Sequence, residues 1–234
     1  MNQANMSAHS IGSLDTQSDE QTWVQHVSQA KASPTVLADI YEDNINIAIW
    51  QRELAADVIS AANNLLQLKP SFKFAATVTA ENTRSTLEDA LGVQADATPL
   101  CEDIAQLVDI FCYLFEIERV GLRLTALDKA MCPRFHVDHV PCRLVTTYAG
   151  VATQWLDHQV VDRSKLGAGN HGKPDSQSGL YAHETDIQIL NQGEVALLKG
   201  ERWLGNEGAG LVHRSPSVEQ GANRLLLTLD FSND

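Results

Sequence analysis

A histidine and an aspartate stand two residues apart near the middle of the chain, in the segment Phe135-His136-Val137-Asp138. In a β-strand, residues i and i+2 project from the same face, so an extended segment would present the imidazole of His136 beside the carboxylate of Asp138. A third donor is available at His213, which ends an apolar run and begins the sequence HRSP. Two imidazoles and one carboxylate can hold a divalent ion and leave coordination positions open. The spacing therefore predicts a metal site made by His136, Asp138 and His213.

An arginine stands eleven residues after His213, at the start of the strand-like run RLLLTLDF. Alternation places Arg224 and every second residue after it on one face of this strand, while the other face is apolar enough to pack beneath helices. Arg224 would then point into a barrel, where an unpaired charge is costly. Because no acidic partner is obvious in the sequence, we expect Arg224 to bind an anionic ligand. Arg143 and Arg214 also lie near the predicted site and are alternatives for that role.

Cysteine and histidine also cluster around the first metal ligand. Cys132, His136, His139 and Cys142 could form a zinc site with two thiolates and two imidazoles. If the segment is a strand, however, His136 and His139 face opposite ways and cannot bind one ion together. The four cysteines of the chain form no CxxC pair, so reduced thiols of the kind found in a cytoplasm are the better interpretation.

The first half of the chain shows mainly helical periodicity. Residues 1–34 are rich in Ser, Gln, Asn and Asp and are predicted to be a disordered or loosely attached leader. From Val36 to Pro70, and again from Ile104 to Phe115, apolar residues recur at three- and four-residue steps, which predicts helices. A short strand is expected at 72–78.

After Arg119 the period changes from four residues to two, which predicts β-strands. The predicted strands are 120–127, 143–148, 153–156, 186–190, 194–198, 210–212 and 224–231. Short strands at this spacing are typical of a sandwich or barrel, and the glycine-rich stretch 167–179 is predicted to be a mobile loop near its mouth. The predicted fold class is therefore α+β, with a single domain at 35–234. In that domain a mainly helical part, 35–118, packs on a double-stranded β-helix (a jelly-roll or cupin-like barrel), 119–232.

The balance of charge excludes some classes of partner. The chain has 234 residues, with 17 Lys and Arg against 30 Asp and Glu, and a formal charge of −13. Nucleic acids and anionic membrane surfaces require clustered Lys and Arg, so neither is expected as a partner. No apolar run approaches the roughly 18 residues of a membrane helix, and the N-terminus does not look like a secretory signal. We therefore expect a cytoplasmic protein that acts on a small-molecule or protein substrate.

The order of the candidate residues resembles that of the iron(II)- and 2-oxoglutarate-dependent dioxygenase superfamily. The likeness consists of His-x-Asp, a gap of 75 residues, a His and an Arg eleven residues further on, accompanied by TTYAG, TQWLD, EVALLKG and HRSP. It covers about residues 118–232. The whole chain also resembles a bacterial domain-of-unknown-function family, numbered 1826, through MCPRFHVDHVPCRLVTTY and HRSP. That second likeness names no activity.

The first resemblance implies a role for each residue. The three predicted metal ligands would be the catalytic ligands of Fe(II), and Arg224 would hold the distal carboxylate of the co-substrate 2-oxoglutarate with its planar fork. Tyr148 or Thr146 would donate a further hydrogen bond to that carboxylate. The implied protein is a non-haem iron(II), 2-oxoglutarate-dependent oxygenase that hydroxylates its substrate. The Arg-x-Ser pair of some subgroups is absent, since Leu226 stands two residues after Arg224.

A second hypothesis gives the same three ligands another use. The protein would be a cupin-like divalent-metal binding protein for sensing or delivery, without oxygenase activity, because two imidazoles and one carboxylate bind zinc more tightly than iron(II). Arg224 discriminates between the two hypotheses, since an oxygenase needs an anion anchor facing the metal and a metal carrier does not. A third hypothesis, a degenerate barrel used as an interaction scaffold, predicts that substitution of His136 leaves function intact.

Overall fold

A computed structural model describes residues 25–92 and 96–232. The helices in these ranges are α1 (Ala56–Leu68), α2 (Thr83–Leu91), α3 (Thr98–Phe115) and α4 (Asp175–Ser178), with 3-10 helices at Pro34–Tyr41, His158–Val160, Arg163–Lys165, Gly167–Asn170 and Glu184–Asp186. The strands are β1 (Val27–Lys31), β2 (Ile45–Trp50), β3 (Lys73–Val78), β4 (Val120–Leu127), β5 (Cys142–Ala149), β6 (Gln154–Leu156), β7 (Ile187–Ile189), β8 (Val195–Lys199), β9 (Val212–Arg214) and β10 (Arg224–Phe231).

The strands form two sheets, and the architecture is the predicted double-stranded β-helix with helices packed on it. The larger sheet has the order β1-β2-β8-β5-β10-β4-β3, and the smaller sheet has the order β7-β6-β9. In the described residues β1 pairs in parallel with β2, and the other pairs are antiparallel. Because β10 lies between β4 and β5, the last strand of the chain completes the centre of the larger sheet. A last strand that comes back to pair between two earlier strands is typical of a jelly roll.

Alternation along β10 separates two layers, as the sequence predicted. Leu225, Leu227 and Leu229 point into the main apolar core, which α1 and α3 cover. Arg224 and Leu226 lie on the opposite face and line a cavity inside the barrel. Fully burying each leucine contributes roughly 1.5–3 kcal/mol, so the helix-facing side of the strand holds the larger sheet in place. The cavity-facing side of β10 does not pack against the helices and can therefore carry polar side chains.

A second apolar cluster lies between the two sheets. It joins inward-facing side chains of the larger sheet to residues of the smaller sheet and its connections. Its members are Ile47, Ile49, Val145, Ala152, Trp155, Leu190, Ala196, Leu198 and Leu211. This cluster keeps the sheets in register beside the candidate site.

The N-terminal part contains more strand than predicted, and the prediction of one helical stretch from Val36 to Pro70 is wrong. The range begins with a 3-10 helix that ends at Tyr41, the strand β2 follows it, and the α-helix begins only at Ala56. The sequence of β2, INIAIW, is buried on both faces. An apolar run of this kind does not distinguish a buried strand from a helical stripe. The part at 35–118 therefore supplies β2 and β3 to the larger sheet as well as helices.

The predicted leader, 1–34, lies mostly outside the described residues, which begin at residue 25. Its last part differs from the prediction, because β1 pairs with β2. The side chain of Lys31 also donates a 2.7 Å hydrogen bond to Asp39. Backbone pairing attaches this part to the sheet, whereas the division of the chain into a leader and one domain stays a prediction.

The strands predicted after residue 119 are confirmed. β4 and β10 occupy the predicted ranges, and the bounds of the others differ by at most two residues. In the part of the chain that the structure describes, no helix combines the length and the apolarity needed to cross a membrane.

Candidate metal centre

His136 and His213 lie side by side because their backbones pair. Each amide donates to the carbonyl of the other residue at 3.0 Å, and the ring centroids are 4.6 Å apart. Asp138 turns to the same place, with Oδ1 3.7 Å from Nε2 of His136 and Oδ2 3.5 Å from Nε2 of His213. The three donor atoms lie within 4.8 Å of one another, and the described residues contain no second cluster of this kind. The structure thus brings together the three side chains that the sequence singled out.

Both imidazoles are oriented by a backbone carbonyl. Nδ1 of His136 lies 2.9 Å from the carbonyl oxygen of Arg134, and Nδ1 of His213 lies 3.1 Å from that of Leu211. A carbonyl oxygen only accepts, so each Nδ1 carries a proton, which leaves Nε2 as the atom of each ring that could bind a metal. Burial lowers the pKa of His213 to about 4. This ring is therefore neutral at pH 7, as a metal ligand must be.

Arg224 is buried, with 1% of its surface exposed. Its Nη1 donates to the hydroxyl of Ser215 at 2.8 Å, and its Nη2 donates to the hydroxyls of Thr153 at 2.8 Å and Thr147 at 3.2 Å. Its Nε has no hydrogen-bond partner in the part of the chain that the structure describes. Burial lowers the pKa of Arg224 to about 10, so the guanidinium is still charged at neutral pH. Three neutral hydroxyls do not balance this charge, and none of the described carboxylates forms an ion pair with it.

Arg224 and the two histidines line one cavity. Its volume is about 60 Å³, which is room for roughly four to six waters at about 10–15 Å³ each. Val145 and Leu226 give it apolar walls, and Arg143 and Arg214 add two further cationic side chains. A cationic cavity with apolar walls on a chain of charge −13 concentrates small anions.

The two alternative anion anchors are already paired with acids. Arg143 Nη1 donates to Asp138 at 2.8 Å, and its Nε donates to Asp230 at 2.6 Å. Arg214 Nη1 lies 3.3 Å from a carboxylate oxygen of Asp175. Among the arginines that line the cavity, Arg224 is therefore the one whose charge is left for a ligand.

The strand β5 presents a different face to the cavity from the one expected. The Tyr148 hydroxyl donates to Asp103 at 2.5 Å, and Tyr148 is part of the main core on the helix side of the sheet. Thr146 lies on the same side of the strand, and its hydroxyl has no hydrogen-bond partner among the described residues. Thr147 is the threonine of this strand that reaches Arg224. The prediction that Tyr148 or Thr146 contacts the co-substrate is corrected accordingly, because both lie on the face of β5 turned away from the cavity.

The three hydroxyls around Arg224 were not singled out from the sequence. For two of them the sequence contains a pattern that could have identified them. Ser215 stands two residues after His213, and Thr147 lies four residues after Arg143 and therefore on the same inner face of β5. Thr153 comes from the connection before β6, and no local pattern marks it.

We expect Tyr148→Phe to leave 2-oxoglutarate binding unchanged and to lower the free energy of unfolding. The variant loses a hydrogen bond to a charged group, which typically contributes about 1.5–3 kcal/mol, while Arg52 still donates to both oxygens of Asp103 at 2.7 and 2.9 Å. Urea unfolding measures the change in the free energy of unfolding, and isothermal titration measures the binding of 2-oxoglutarate. Thr147→Val is the matched variant on the other face and should weaken co-substrate binding. A loss of co-substrate affinity in Tyr148→Phe would contradict this assignment of faces.

The alternative zinc site is not assembled. Cys142 is buried in the main core, on the side of β5 away from the histidines, whereas Cys132 and His139 are exposed. Burial raises the pKa of the Cys142 thiol, which disfavours the thiolate that zinc requires. Of the four residues, His136 alone belongs to the metal cluster found in the described part of the chain.

The glycine-rich stretch 167–179 is attached to the metal-binding segment at one end. Asp175, which is buried, accepts a 2.8 Å hydrogen bond from Arg134 Nε and a 2.9 Å hydrogen bond from the backbone amide of Phe135. The amide next to His136 is therefore held by a carboxylate from α4. The mobility of the stretch stays a prediction.

Comparison with protein families gives one match over most of the chain. The model described as "Protein of unknown function (DUF1826)" matches residues 31–230, which confirms the whole-chain resemblance inferred from the sequence. Among curated proteins, no sequence matches.

Several solved structures resemble the chain at low identity. A dioxygenase for auxin oxidation from rice is 10% identical, covering 88% of this chain and 82% of its own, with a TM-score of 0.48. A Pseudomonas putida prolyl-4-hydroxylase is 11% identical, covering 86% and 98%, with a TM-score of 0.43. EctD from S. alaskensis is 17% identical, covering 88% and 80%, with a TM-score of 0.42. Likenesses this distant carry no statement about activity, which has to come from the residues of the site.

Proposed function

The chain belongs to the DUF1826 family, whose description gives no activity, and we propose that it is a non-haem iron(II)- and 2-oxoglutarate-dependent oxygenase. The proposal depends on a single observation. A buried arginine, Arg224, lines the same cavity as the two histidines of the His136–Asp138–His213 cluster and has no acidic partner among the described residues. A metal-binding group and an uncompensated cation in one cavity select a ligand that chelates metal and carries a second negative group. A 2-oxo diacid has both features.

The donor set fits iron(II). Two neutral imidazoles and a carboxylate are the ligands of non-haem iron(II) oxygenases, and they leave coordination positions free for exogenous ligands. The carbonyl contacts at both Nδ1 atoms orient the two Nε2 lone pairs toward the cluster. His136, Asp138 and His213 are therefore the residues that would hold the metal.

The residues around Arg224 fit the distal carboxylate of the co-substrate. The hydroxyls of Ser215, Thr153 and Thr147 accept from the guanidinium and fix the plane of its fork. Three of the five guanidinium N–H groups donate to these hydroxyls, so the Nε–H and one Nη1–H are left to donate to a carboxylate. A planar guanidinium holds such donors in fixed directions, which a lysine does not. Leu226 walls this part of the cavity and reduces its exposure to water, which strengthens the ion pair.

The reaction that we propose is the hydroxylation of a C–H bond. Bound iron supplies the redox chemistry that uses dioxygen: one oxygen atom enters the substrate as a hydroxyl group, the other enters the co-substrate, and 2-oxoglutarate leaves as succinate and carbon dioxide. The chain's own residues bind and orient the co-substrate, keep His213 neutral and restrict water.

The competing function is that of a divalent-metal binding protein for sensing or delivery. The observation that favours it is the ligand set itself, since two imidazoles and a carboxylate bind zinc more tightly than iron(II). It leaves the burial of Arg224 without an explanation, which is why the oxygenase is the preferred proposal.

The test is an anaerobic titration of metal-free protein with iron(II) and then with 2-oxoglutarate. We expect a visible metal-to-ligand charge-transfer band to develop with the second addition. The same titration with zinc(II) is the control and should bind without colour, because zinc(II) has a filled d shell. Binding of iron(II) with no band and no heat on addition of 2-oxoglutarate would refute the oxygenase and favour the metal-binding protein.

A further inference from the structure

One of the two carboxylate oxygens of Asp138 is already engaged. Its Oδ2 accepts a 2.8 Å hydrogen bond from Nη1 of Arg143, and the same oxygen lies 3.5 Å from Nε2 of His213. Its Oδ1 lies 3.7 Å from Nε2 of His136 and accepts no hydrogen bond from the described residues. The two oxygens of this carboxylate are therefore not equivalent.

Arg143 is itself held in one orientation. Its Nε donates to Oδ1 of Asp230 at 2.6 Å, and its Nη2 donates to Oδ2 of Asp230 at 3.1 Å, so one carboxylate binds one edge of the guanidinium through two donors. Arg143 and Asp230 are direct cross-strand neighbours in β5 and β10. The strand pairing, the bidentate contact and the partial burial of all three side chains together leave Nη1 aimed at Asp138.

The need to balance the negative charge of Asp230 does not explain why Arg143 is placed between Asp230 and Asp138. Asp230 already has a second cation, Arg123, whose Nη1 donates to Oδ2 at 2.6 Å from the neighbouring strand β4. The Arg123 side chain is 57% exposed, whereas that of Arg143 is 23% exposed and lines the cavity. Arg143 thus occupies a position from which it bridges Asp230 to the metal cluster, and Arg123 does not.

We propose that Arg143 is a positioning residue that makes Asp138 a one-oxygen ligand. By occupying Oδ2 it holds the carboxylate in a single rotamer and leaves Oδ1 to bind the metal. A carboxylate that ligates through both oxygens takes two coordination positions, so one-oxygen binding keeps a further position open for exogenous ligands. This inference rests on the metal half of the proposed function and does not depend on which co-substrate binds.

The test compares Arg143→Gln and Arg143→Lys with the matched control Arg123→Gln, which removes the other cation from the same Asp230. Cobalt(II) is the probe, and its affinity is measured by competition with a chelating dye at pH 7. Loss of a group that orients a metal ligand typically weakens binding by about 10–100-fold. We expect a loss of that size in Arg143→Gln and a smaller loss in Arg143→Lys, which keeps one charged donor. The affinity of Arg123→Gln should stay near that of the wild type.

The absorption spectrum of the cobalt(II) protein gives a second measurement, because it reports the ligands around the ion rather than the stability of the fold. The spectrum should change in Arg143→Gln and not in Arg123→Gln. Unchanged affinity and an unchanged spectrum in both Arg143 variants would overturn the proposal. If Arg143→Gln does not fold, as judged by circular dichroism, Arg143→Lys and Asp230→Asn decide the question, and wild-type affinity in both would overturn it.

The same measurements separate this proposal from the proposed function. Wild-type protein that binds cobalt(II) but not 2-oxoglutarate would refute the oxygenase and leave the comparison of Arg143 with Arg123 intact. Wild-type protein that binds both, together with Arg143 variants of unchanged metal affinity, would refute the positioning role alone.

Discussion

Arg224→Met should lose most of its affinity for 2-oxoglutarate while it binds metal as the wild type does. The substitution removes the charge and the fork but keeps an unbranched apolar side chain of similar length. Truncating one partner of a buried, hydrogen-bonded charge pair costs about 2–5 kcal/mol, which corresponds to an affinity roughly 30- to 5,000-fold lower. Isothermal titration of the metal-loaded protein with 2-oxoglutarate measures the loss.

Arg224→Lys controls for charge alone. A lysine keeps one positive charge but cannot bind two carboxylate oxygens in a plane, so we expect an intermediate affinity. The metal-free Arg224→Met protein should be about as stable as the wild type, because a buried charge without an acidic partner contributes little to stability. Strong binding of 2-oxoglutarate by Arg224→Met would remove Arg224 from the site and would reopen the role for Arg214 or Arg143.

The part of the site that could be predicted from the sequence is the part governed by strand periodicity. His136 and Asp138 share a side because they are two residues apart, and Arg224 opens a strand whose other face is continuously apolar. The structure places both features as alternation predicts, even though His136 belongs to an isolated β-bridge and not to a full strand. A local pattern is sufficient to predict which side chains face the site where one face of a strand differs clearly from the other.

The rest depends on contacts between residues far apart in the chain. Every residue of β5 except Arg143 is buried, so burial does not show that Thr147 faces the cavity and Thr146 the helices. The strand β2 is buried on both sides for the same reason, and its apolar run resembles a helical stripe. The pairing of Arg143 with Asp230 spans 87 residues and follows from the place of β10 beside β5. No local period encodes such a pairing.

Removal of any one of the three candidate ligands should abolish stoichiometric metal binding. In His136→Ala, Asp138→Ala and His213→Ala, two donors remain, and two do not hold a divalent ion against water and buffer. We expect wild-type protein at a metal concentration of 100 Kd to gain about 2.7 kcal/mol of stability. For a chain of this size that corresponds to a rise in Tm of roughly 5–11 °C, and the three variants should show no rise. Elemental analysis after gel filtration, together with thermal unfolding with and without metal, measures both effects.

His139→Ala is the matched control, since His139 lies three residues after His136, is exposed and belongs to the alternative zinc site but not to the cluster. Its metal content and its rise in Tm should equal those of the wild type. Loss of metal in His139→Ala, with metal retained in His213→Ala, would favour the Cys132–Cys142 site and refute the cluster. If all of these variants keep one tightly bound ion, the metal lies elsewhere, and the burial of Arg224 would then need an anion that binds without a metal beside it.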